Sequence, residues 1–373
     1  MPYLDYAATT PIDSRILPLL QELSSQPLNP SSLHQSGQKA RRLLENARQS
    51  IAANIGLHDP STIVFTSTAT ESANLALRGL CNPATKRVVA SSTNEHSCIS
   101  ETLEALEKEA LIELNHFPVN EDGIMCFPTE PVPHLFAFCM MHVNNETGVI
   151  QSVAKAKEFK AKSNTYWVCD LSQSLGKLPV QVDEMGADLV LLSGHKIYGP
   201  PGIACLAGPM VPKLRPIIIG GPQEDNRRAG TPGVALAVCF AKALEFSLQD
   251  QQQRKTTLIQ LEQTLLNLLG AMGLQFRLNG SNTERVPGFI NISVEGHEGI
   301  DLVIALDQQG IQVSPGAACS TGVVAVSPVL KGMFPQDVKR AAGGVRISMS
   351  HQTTPEDVRT FVEGLSAICQ RGK

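Results

Sequence analysis

The 373-residue chain has few aromatic residues, no apolar run long enough to cross a bilayer and no block of like charge. Aromatic residues make up 5% of it, and the longest apolar run extends only from Val234 to Ala241, against the roughly 18 residues that a spanning helix needs. The 31 basic and 35 acidic residues leave a formal charge of −4. Without a basic cluster, nucleic-acid binding is disfavoured. We expect a protein that binds neither membranes nor nucleic acid, with a small neutral or zwitterionic substrate.

The sequence also has no paired cysteine motif, and its first residues lead us to expect that it is not exported. Its 9 cysteines are widely spaced and form no CxxC motif, which is typical of reduced thiols in a cytosolic protein. The first residues, MPYLDYAATTPIDSR, carry acids where a secretory segment has a basic cluster and an apolar stretch. We therefore expect a cytoplasmic location.

Apolar β-rich segments alternate with helical patterns between about residues 60 and 210, which predicts βαβ units around a mostly parallel sheet. Strands are expected at 63–66, 87–91, 136–142, 166–170, 188–193 and 203–207, and then, in the last third of the chain, at 289–294, 311–314 and 345–349. Helices are expected at 40–55, from 234 to about 269 with a break near 251–253, and from Thr354 onward.

The change of pattern after the long helices predicts two domains. The expected fold class is α/β. A large domain, residues 15–255, would hold a mostly parallel sheet flanked by helices. A smaller α+β domain would combine residues 1–14 with residues 256–373.

Two polar side chains follow apolar strands where open α/β sheets bind ligands. Lys196 lies just after the strand DLVLLS, and Asp170 ends the strand YWVCD. A buried lysine has a lowered pKa and can form a Schiff base. A carboxylate beside it can keep a pyridine nitrogen protonated, so the pair suits a pyridoxal phosphate site. Taken singly, an exposed loop lysine and a helix-capping aspartate are the commoner interpretations.

Three further strand ends contribute polar groups. Small and hydroxyl residues at 66–72 join a strand to a helix, whose free N–H groups favour an anion such as a phosphate, although plain N-capping also explains them. His96 follows the strand VVASS and can stack on a ring and move protons, while the amide of Asn145 can bind a ring oxygen.

These segments together resemble the class-V, fold type I pyridoxal-phosphate enzymes, and within them the cysteine desulfurases of the NifS/IscS kind. The resemblance covers nearly the whole chain and is carried by these motifs: YLDYAATTP (3–11), NPSSLH (29–34), FTSTATES (65–72), NEH (94–96), HVNNETG (142–148), DLSQSLGK (170–177), SGHKIYGP (193–200), RRAGT (227–231) and VRIS (345–348).

The resemblance implies a role for each site residue. Lys196 would bind the cofactor covalently, with Asp170 at the pyridine nitrogen and His96 stacked on the ring and catalytic. Arg346, helped by Asn145, would bind the substrate carboxylate. The remaining residues implied around the cofactor are Gln173 and Asn145 at its phenolic oxygen, and Ala69, Thr70, Glu71, Ser193 and His195 at its phosphate, joined by Thr231 from the opposite subunit of a homodimer.

Cys319 lies between glycines in SPGAACSTG, and no apolar periodicity buries it. On its own it would be a turn cysteine. With the long segment that follows and Arg346 downstream, it resembles the persulfide-forming cysteine of group I desulfurases. The implied partners are L-cysteine and a sulfur-acceptor or iron–sulfur scaffold protein. No resident metal is expected, although Cys319 remains a candidate ligand of a transient iron–sulfur cluster.

The expected reaction releases L-alanine and leaves a persulfide on Cys319, with Lys196 or His96 moving the α-proton. Two alternatives keep part of this prediction: a selenocysteine lyase or β-lyase with the same cofactor, and a sulfur-delivery adaptor without turnover. Some positions depart from the family pattern, namely Pro222, Asp225, Asn226, Thr68 and Pro315.

Overall fold

The computed structural model describes residues 1–82, 84–315 and 326–371, apart from the side chain of Arg371. Its helices are α1 (Leu17–Ser24), α2 (Gln35–Asn54), α3 (Ala69–Leu80), α4 (Ser97–Lys108), α5 (Val153–Ser163), α6 (Val182–Met185), α7 (Gln223–Asn226), α8 (Val234–Gln249), α9 (Gln251–Ala271), α10 (Gly299–Asp307), α11 (Pro328–Met333), α12 (Val338–Ala342) and α13 (Pro355–Arg371). Its strands are β1 (Ile63–Thr66), β2 (Arg87–Ser92), β3 (Ile112–Phe117), β4 (Leu135–Cys139), β5 (Tyr166–Asp170), β6 (Leu189–Ser193), β7 (Ala204–Ala207), β8 (Phe276–Leu278), β9 (Phe289–Val294) and β10 (Gly344–Ser348).

A seven-stranded sheet in the order β1-β7-β6-β5-β4-β2-β3 forms the centre of the larger part of the molecule. Adjacent strands are parallel in the part of the sheet ordered β6-β5-β4-β2-β3. The strand β7 is antiparallel to both of its neighbours, β6 and β1. The mostly parallel α/β sheet expected from the sequence is confirmed. β1, β6 and β7 are buried along their whole length, as strands covered by helices on both faces must be.

A separate three-stranded antiparallel sheet, β10-β9-β8, is formed by the last third of the chain. It has its own apolar core, in which Ile290, Ile292 and Ile347 pack with Phe361 of α13. Separate sheets and cores support the division at residues 15–255 and 256–373, which stays a prediction.

The N-terminal segment joins the smaller sheet. Leu4 donates its N–H to the carbonyl of Gln312, and Asp5 forms a parallel bridge with Ser348 at the end of β10. Leu4 itself is fully buried in the core of the smaller sheet. This contact agrees with the expected grouping of residues 1–14 with the C-terminal third.

The structure differs from the prediction at several elements: β8 was not expected, and the strand expected at 136–142 is Leu135–Cys139. β3 was not expected, because its sequence IELNHF mixes polar and apolar residues at the edge of the sheet. The strand expected at 311–314 is not formed as a ladder. Gln312 pairs singly with Tyr3, and Ser314 pairs singly with Arg346, since two different segments flank this stretch. In the described part of the chain, no helix is long and apolar enough to cross a membrane.

Candidate active site

The carboxyl ends of the parallel strands bring the predicted site residues to one edge of the large sheet. His96 lies beyond β2, Asn145 beyond β4, Asp170 at the end of β5 and Lys196 just beyond β6. Because neighbouring parallel strands end at the same edge, these four side chains converge although they are far apart in sequence. Their charges affect one another: the pKa of His96 responds to Asp170 and Lys196.

Lys196 ends a short 3₁₀ turn, Gly194–Lys196, that follows β6 directly. Its Nζ donates hydrogen bonds to the carbonyl oxygens of Ala7 and Ala8, each at 2.6 Å. Burial, followed by the positive charge of Arg346, lowers the pKa of this amine to about 8, and the charges of Asp170 and Asp5 only partly oppose the shift. A minor fraction of unprotonated, nucleophilic amine is therefore present near neutral pH, far more than for an ordinary lysine.

Asp170 and Gln173 lie on the segment that leaves β5. Asp170 is buried, and its Oδ1 accepts the N–H of Ser172 at 2.8 Å. The amide nitrogen of Gln173 donates to the carbonyl of Ala7 at 2.9 Å, and its amide oxygen accepts from Lys177 at 3.3 Å. Gln173 is thus already held by two neighbours, which limits what it can offer to a bound group.

His96 is the N-cap of α4, and its Nδ1 accepts the backbone N–H of Cys98 at 3.1 Å. An accepting Nδ1 carries no proton, so the neutral ring bears its hydrogen on Nε2. Burial lowers the pKa of His96, as do Lys196 and Arg346, while Asp170 raises it. The ring is therefore a neutral donor through Nε2 at neutral pH.

Arg346 extends from β10 of the smaller sheet toward the same edge. Its Nη2 binds the carboxylate of Asp5 at 2.7 Å, and its Nη1 donates to the carbonyl of Asn145 at 2.9 Å. The Nε of Arg346 and the Oδ1 of Asn145 are buried and have no hydrogen-bond partner among the described residues. The guanidinium is thus held on one side and leaves a free N–H on the other.

The turn between β1 and α3 forms the anion-binding end of the site. Thr68 is the N-cap, and its side chain accepts the N–H of Glu71, so the threonine that departs from the family pattern takes over a capping role. Ala69 and Thr70 occupy the first helical positions, whose N–H groups have no partner within a helix. The carboxylate of Glu71 binds Ser67 and, at 2.7 Å, Arg228. Because the side chain of Glu71 is paired and its N–H is bound to Thr68, the N–H groups of Ala69 and Thr70 are those left to favour an anion.

The three other residues predicted at the phosphate differ in their exposure to solvent. Ser193 is buried at the end of β6. The Nδ1 of His195 lies 3.0 Å from Oγ1 of Thr9, and burial lowers the pKa of His195 to about 4. Thr231 is exposed in the loop that follows α7, so it is accessible to a second subunit. The nearby departures Asp225 and Asn226 have left-handed φ angles of 52° and 64°.

Cys319 lies outside the described residues, but both flanks of its segment contact site elements. Ser314 pairs with Arg346 through two backbone hydrogen bonds of 3.2 and 2.7 Å. Ser327, the N-cap of α11, donates its hydroxyl to the carboxylate of Glu146. Glu146 follows Asn145 directly, and burial raises its pKa to about 7.

Several of these contacts could not be read from local sequence. Asp5, Ala7 and Ala8 belong to the motif YLDYAATTP, yet no pattern within it indicates that it crosses over Lys196. Glu146 and Lys177 are also close to the site without having been predicted there. The one available signal was their position inside motifs that carried the family resemblance.

The residues at this edge fit pyridoxal phosphate. The unpartnered Oδ1 of Asn145 and Oγ of Ser172 are buried polar atoms that need a partner. The first turn of α3 suits a phosphate, the amine of Lys196 suits imine formation, and the buried Asp170 suits a pyridinium nitrogen.

The chain matches the sequence profile described as aminotransferase class-V over residues 2–361. It is 33% identical over 377 residues to a cysteine desulfurase IscS of Dictyoglomus turgidum, an alignment that covers 99% of this chain and 94% of that protein. The chain therefore belongs to the class-V aminotransferase family.

Solved structures give the same relationship. A NifS-like protein superposes with a TM-score of 0.91 at 28% identity, covering 100% of both chains. A structure of SspA in complex with cysteine superposes with a TM-score of 0.80 at 28% identity, covering 95% of this chain and 100% of that one. The expected fold type I architecture is confirmed by this likeness.

The buried Glu146 predicts a pH dependence of stability. Its pKa in the folded chain, about 7, lies above the ordinary 4.5, so the folded state binds more protons between these values and stability falls as pH rises through them. Relative to Glu146→Gln, the parent should lose about 3 kcal/mol of unfolding free energy between pH 4.5 and pH 7. Urea unfolding at several pH values measures this difference.

The matched control is Glu101→Gln on the exposed side of α4. Its unfolding free energy should follow that of the parent across the same pH range. A constant difference between the parent and Glu146→Gln would contradict the prediction.

Proposed function

We propose that this protein is a pyridoxal-phosphate-dependent cysteine desulfurase, which converts L-cysteine to L-alanine and carries the sulfur as a persulfide on Cys319. The observation that carries the proposal is the convergence of Lys196, Asp170 and His96 at one edge of the sheet, where burial lowers the pKa of Lys196 to about 8. A relative of similar length and a structural neighbour bear the names cysteine desulfurase IscS and NifS-like protein.

The chain offers a holding residue for each part of the cofactor. Lys196 would bind it covalently, and Asp170 would face its ring nitrogen. The groups around the phosphate would be Ala69 and Thr70, in the helical turn that Glu71 shares, together with Ser193 and His195. Asn145 and Gln173 would lie at the phenolic oxygen. When bound, pyridoxal phosphate supplies an electron sink for negative charge that develops on the substrate.

Lys196 suits the role of the base that moves the α-proton. With a pKa of about 8, its free amine is partly unprotonated near neutral pH and can accept a proton. His96 has its Nδ1 occupied by the N–H of Cys98, so the neutral ring donates through Nε2 rather than accepting there. We therefore assign proton abstraction to Lys196, and ring stacking and hydrogen-bond donation through Nε2 to His96.

Arg346 is the residue best placed to bind the substrate carboxylate. Asp5 and the carbonyl of Asn145 hold its two terminal nitrogens, while its buried Nε has no partner among the described residues. A carboxylate that approaches the Nε edge would satisfy this nitrogen with a charge-assisted bond. The side-chain amide of Asn145, next to Arg346, would assist.

In the sulfur step, the Cys319 thiolate would attack the sulfur of L-cysteine. An S–S bond forms, the Cβ–S bond of the substrate breaks, and its electron pair is taken up with a proton at carbon to give L-alanine. Thiol and cysteine thus become persulfide and alanine without an external oxidant. Ser314 is hydrogen-bonded to Arg346, and Ser327 is hydrogen-bonded to Glu146. Both flanks of the Cys319 segment are therefore held next to the site.

The partners follow from the same proposal. Exposed Thr231 would complete the phosphate site of a second copy in a homodimer. The persulfide would pass to a sulfur-acceptor or iron–sulfur scaffold protein, with Cys319 as a candidate ligand of a transient cluster. We propose a cytoplasmic location, which the absence of paired cysteine motifs supports.

Replacing the nucleophile tests the reaction. With L-cysteine and a reductant, Cys319→Ser should produce sulfide and alanine about a hundredfold more slowly than the parent or worse, because a hydroxyl cannot accept the sulfur. The matched control is Cys126→Ser, which alters an exposed free thiol outside the site. It should keep the parent rate. Parent-level turnover by Cys319→Ser would overturn the proposal.

Two outcomes distinguish the alternatives. If Cys319→Ala loses turnover of cysteine and selenocysteine alike, a lyase in which the thiol only gates the site is rejected. If the parent's cofactor absorbance responds to L-cysteine, an adaptor without turnover is rejected.

Asp5 should affect substrate affinity through Arg346. Asp5→Ala removes the carboxylate that orients the guanidinium, so KM for L-cysteine should rise by about tenfold while kcat changes less. Asp5→Asn keeps a hydrogen-bond acceptor without its charge, so its KM should lie between those of the parent and Asp5→Ala. Steady-state kinetics measures both constants, with Asp307→Ala at the exposed end of α10 as control. An unchanged KM in Asp5→Ala would contradict this role.

A further inference from the structure

A cavity of about 50 Å³ lies on the other flank of the Lys196 loop, between α9 and the smaller sheet. Lys177, Lys196, Tyr198, Gln251, Arg254 and His351 are among its lining residues, whereas His96, Asp170 and Arg346 are not. The cavity has room for one or a few water-sized particles. Its size excludes an amino acid or a phosphate ester, and of the predicted site residues described it shares only Lys196 with the site described above.

Three of the lining side chains carry a buried nitrogen without a hydrogen-bond partner among the described residues. These atoms are Nε of Arg254, Nε2 of Gln251 and Nδ1 of His351. Arg254 is only 9% exposed. Its other nitrogens are used, because Nη1 donates to Ser247 at 3.4 Å and Nη2 to Asp250 at 2.9 Å. Buried nitrogens of this kind are costly unless a partner accepts from them.

The charge around the cavity is positive. Arg15 and Arg254 are balanced by Asp13 and Asp250, with which they form ion pairs of 2.7 to 3.7 Å. Lys177 has no carboxylate within ion-pair distance among the described residues. Among the described residues its Nζ donates only to the side chain of Gln173 and the carbonyl of Lys196, each at 3.3 Å. In its protonated form Lys177 therefore retains one N–H and an unpaired positive charge.

We propose that this cavity binds a small monovalent anion, of halide size, between Arg254, Gln251 and Lys177. The anion would accept hydrogen bonds from the unpartnered nitrogens. It would also act as the counterion of protonated Lys177, which has no carboxylate beside it. A neutral water molecule would satisfy hydrogen bonds but leave that charge uncompensated. Since burial and the charges of Lys196 and Arg254 lower the pKa of Lys177 to about 7, a bound anion would also favour its charged form.

The location gives the anion a structural role. Lys177 links the side chain of Gln173 to the backbone of Lys196, and Tyr198, two residues later, has an unusual φ of 65°. The ring of Tyr198 lies 4.6 Å from the guanidinium of Arg254 and 5.0 Å from the His351 ring. An anion here would therefore stabilise the loop that carries Lys196.

Bromide is the probe for this site. Crystals of the full-length protein soaked in bromide should show an anomalous difference peak within hydrogen-bond distance of Arg254 Nε and Gln251 Nε2. In solution, Tm should be higher in bromide than in gluconate at equal ionic strength, because gluconate is too large for the cavity. A cavity that contains only water, or equal Tm values in the two salts, would overturn the proposal.

A pair of matched variants separates the site from general salt effects. Gln251→Glu places a carboxylate at the anion position, so bromide should bind at least about tenfold more weakly and the Tm difference should disappear. Gln253→Glu adds the same charge to the exposed side of the same helix and should keep the parent's bromide response. Retention of that response by Gln251→Glu would refute the assignment whatever the desulfurase activity of either variant.

Discussion

The hydrogen bonds from Lys196 to the carbonyl groups of Ala7 and Ala8 connect the two sheets of this protein at its site. The N-terminal segment pairs with β10 through Asp5 and Ser348, and it then passes over the amine at the end of β6. This crossing is one of the contacts that position Arg346 relative to the large sheet, and the bond from Arg346 to the carbonyl of Asn145 is another. Together they set the geometry of the site.

Burial sets the chemistry of the groups that this crossing brings together. It lowers the pKa of Lys196 and raises that of Glu146, so an amine and a carboxyl group both titrate near neutral pH. The two lie at different places: one faces the proposed cofactor, the other holds Ser327 at the flank of the Cys319 segment. Desolvation thus prepares a nucleophile in one place and a pH-sensitive contact in another.

How far the sequence predicted the structure depended on the environment of each element. The strands at 63–66 and 166–170 were predicted to the residue, because short apolar runs bounded by turn residues are typical of buried strands. β3 was missed, since its polar residues face solvent at the sheet edge. The stretch at 311–314 is β-like in composition but pairs only through single bridges, because its two neighbours belong to different segments.

By itself, the sequence determined which side chains end the apolar strands, and therefore that Lys196, Asp170, His96 and Asn145 meet at one edge. That inference needs only the rule that parallel strands end together. Tertiary structure alone decided that Asp5 pairs with Arg346, that Glu146 holds Ser327, and that Lys177 and Arg254 share a small cavity. These contacts join residues far apart in the chain, and their partners are selected by packing between the two sheets rather than by any local pattern.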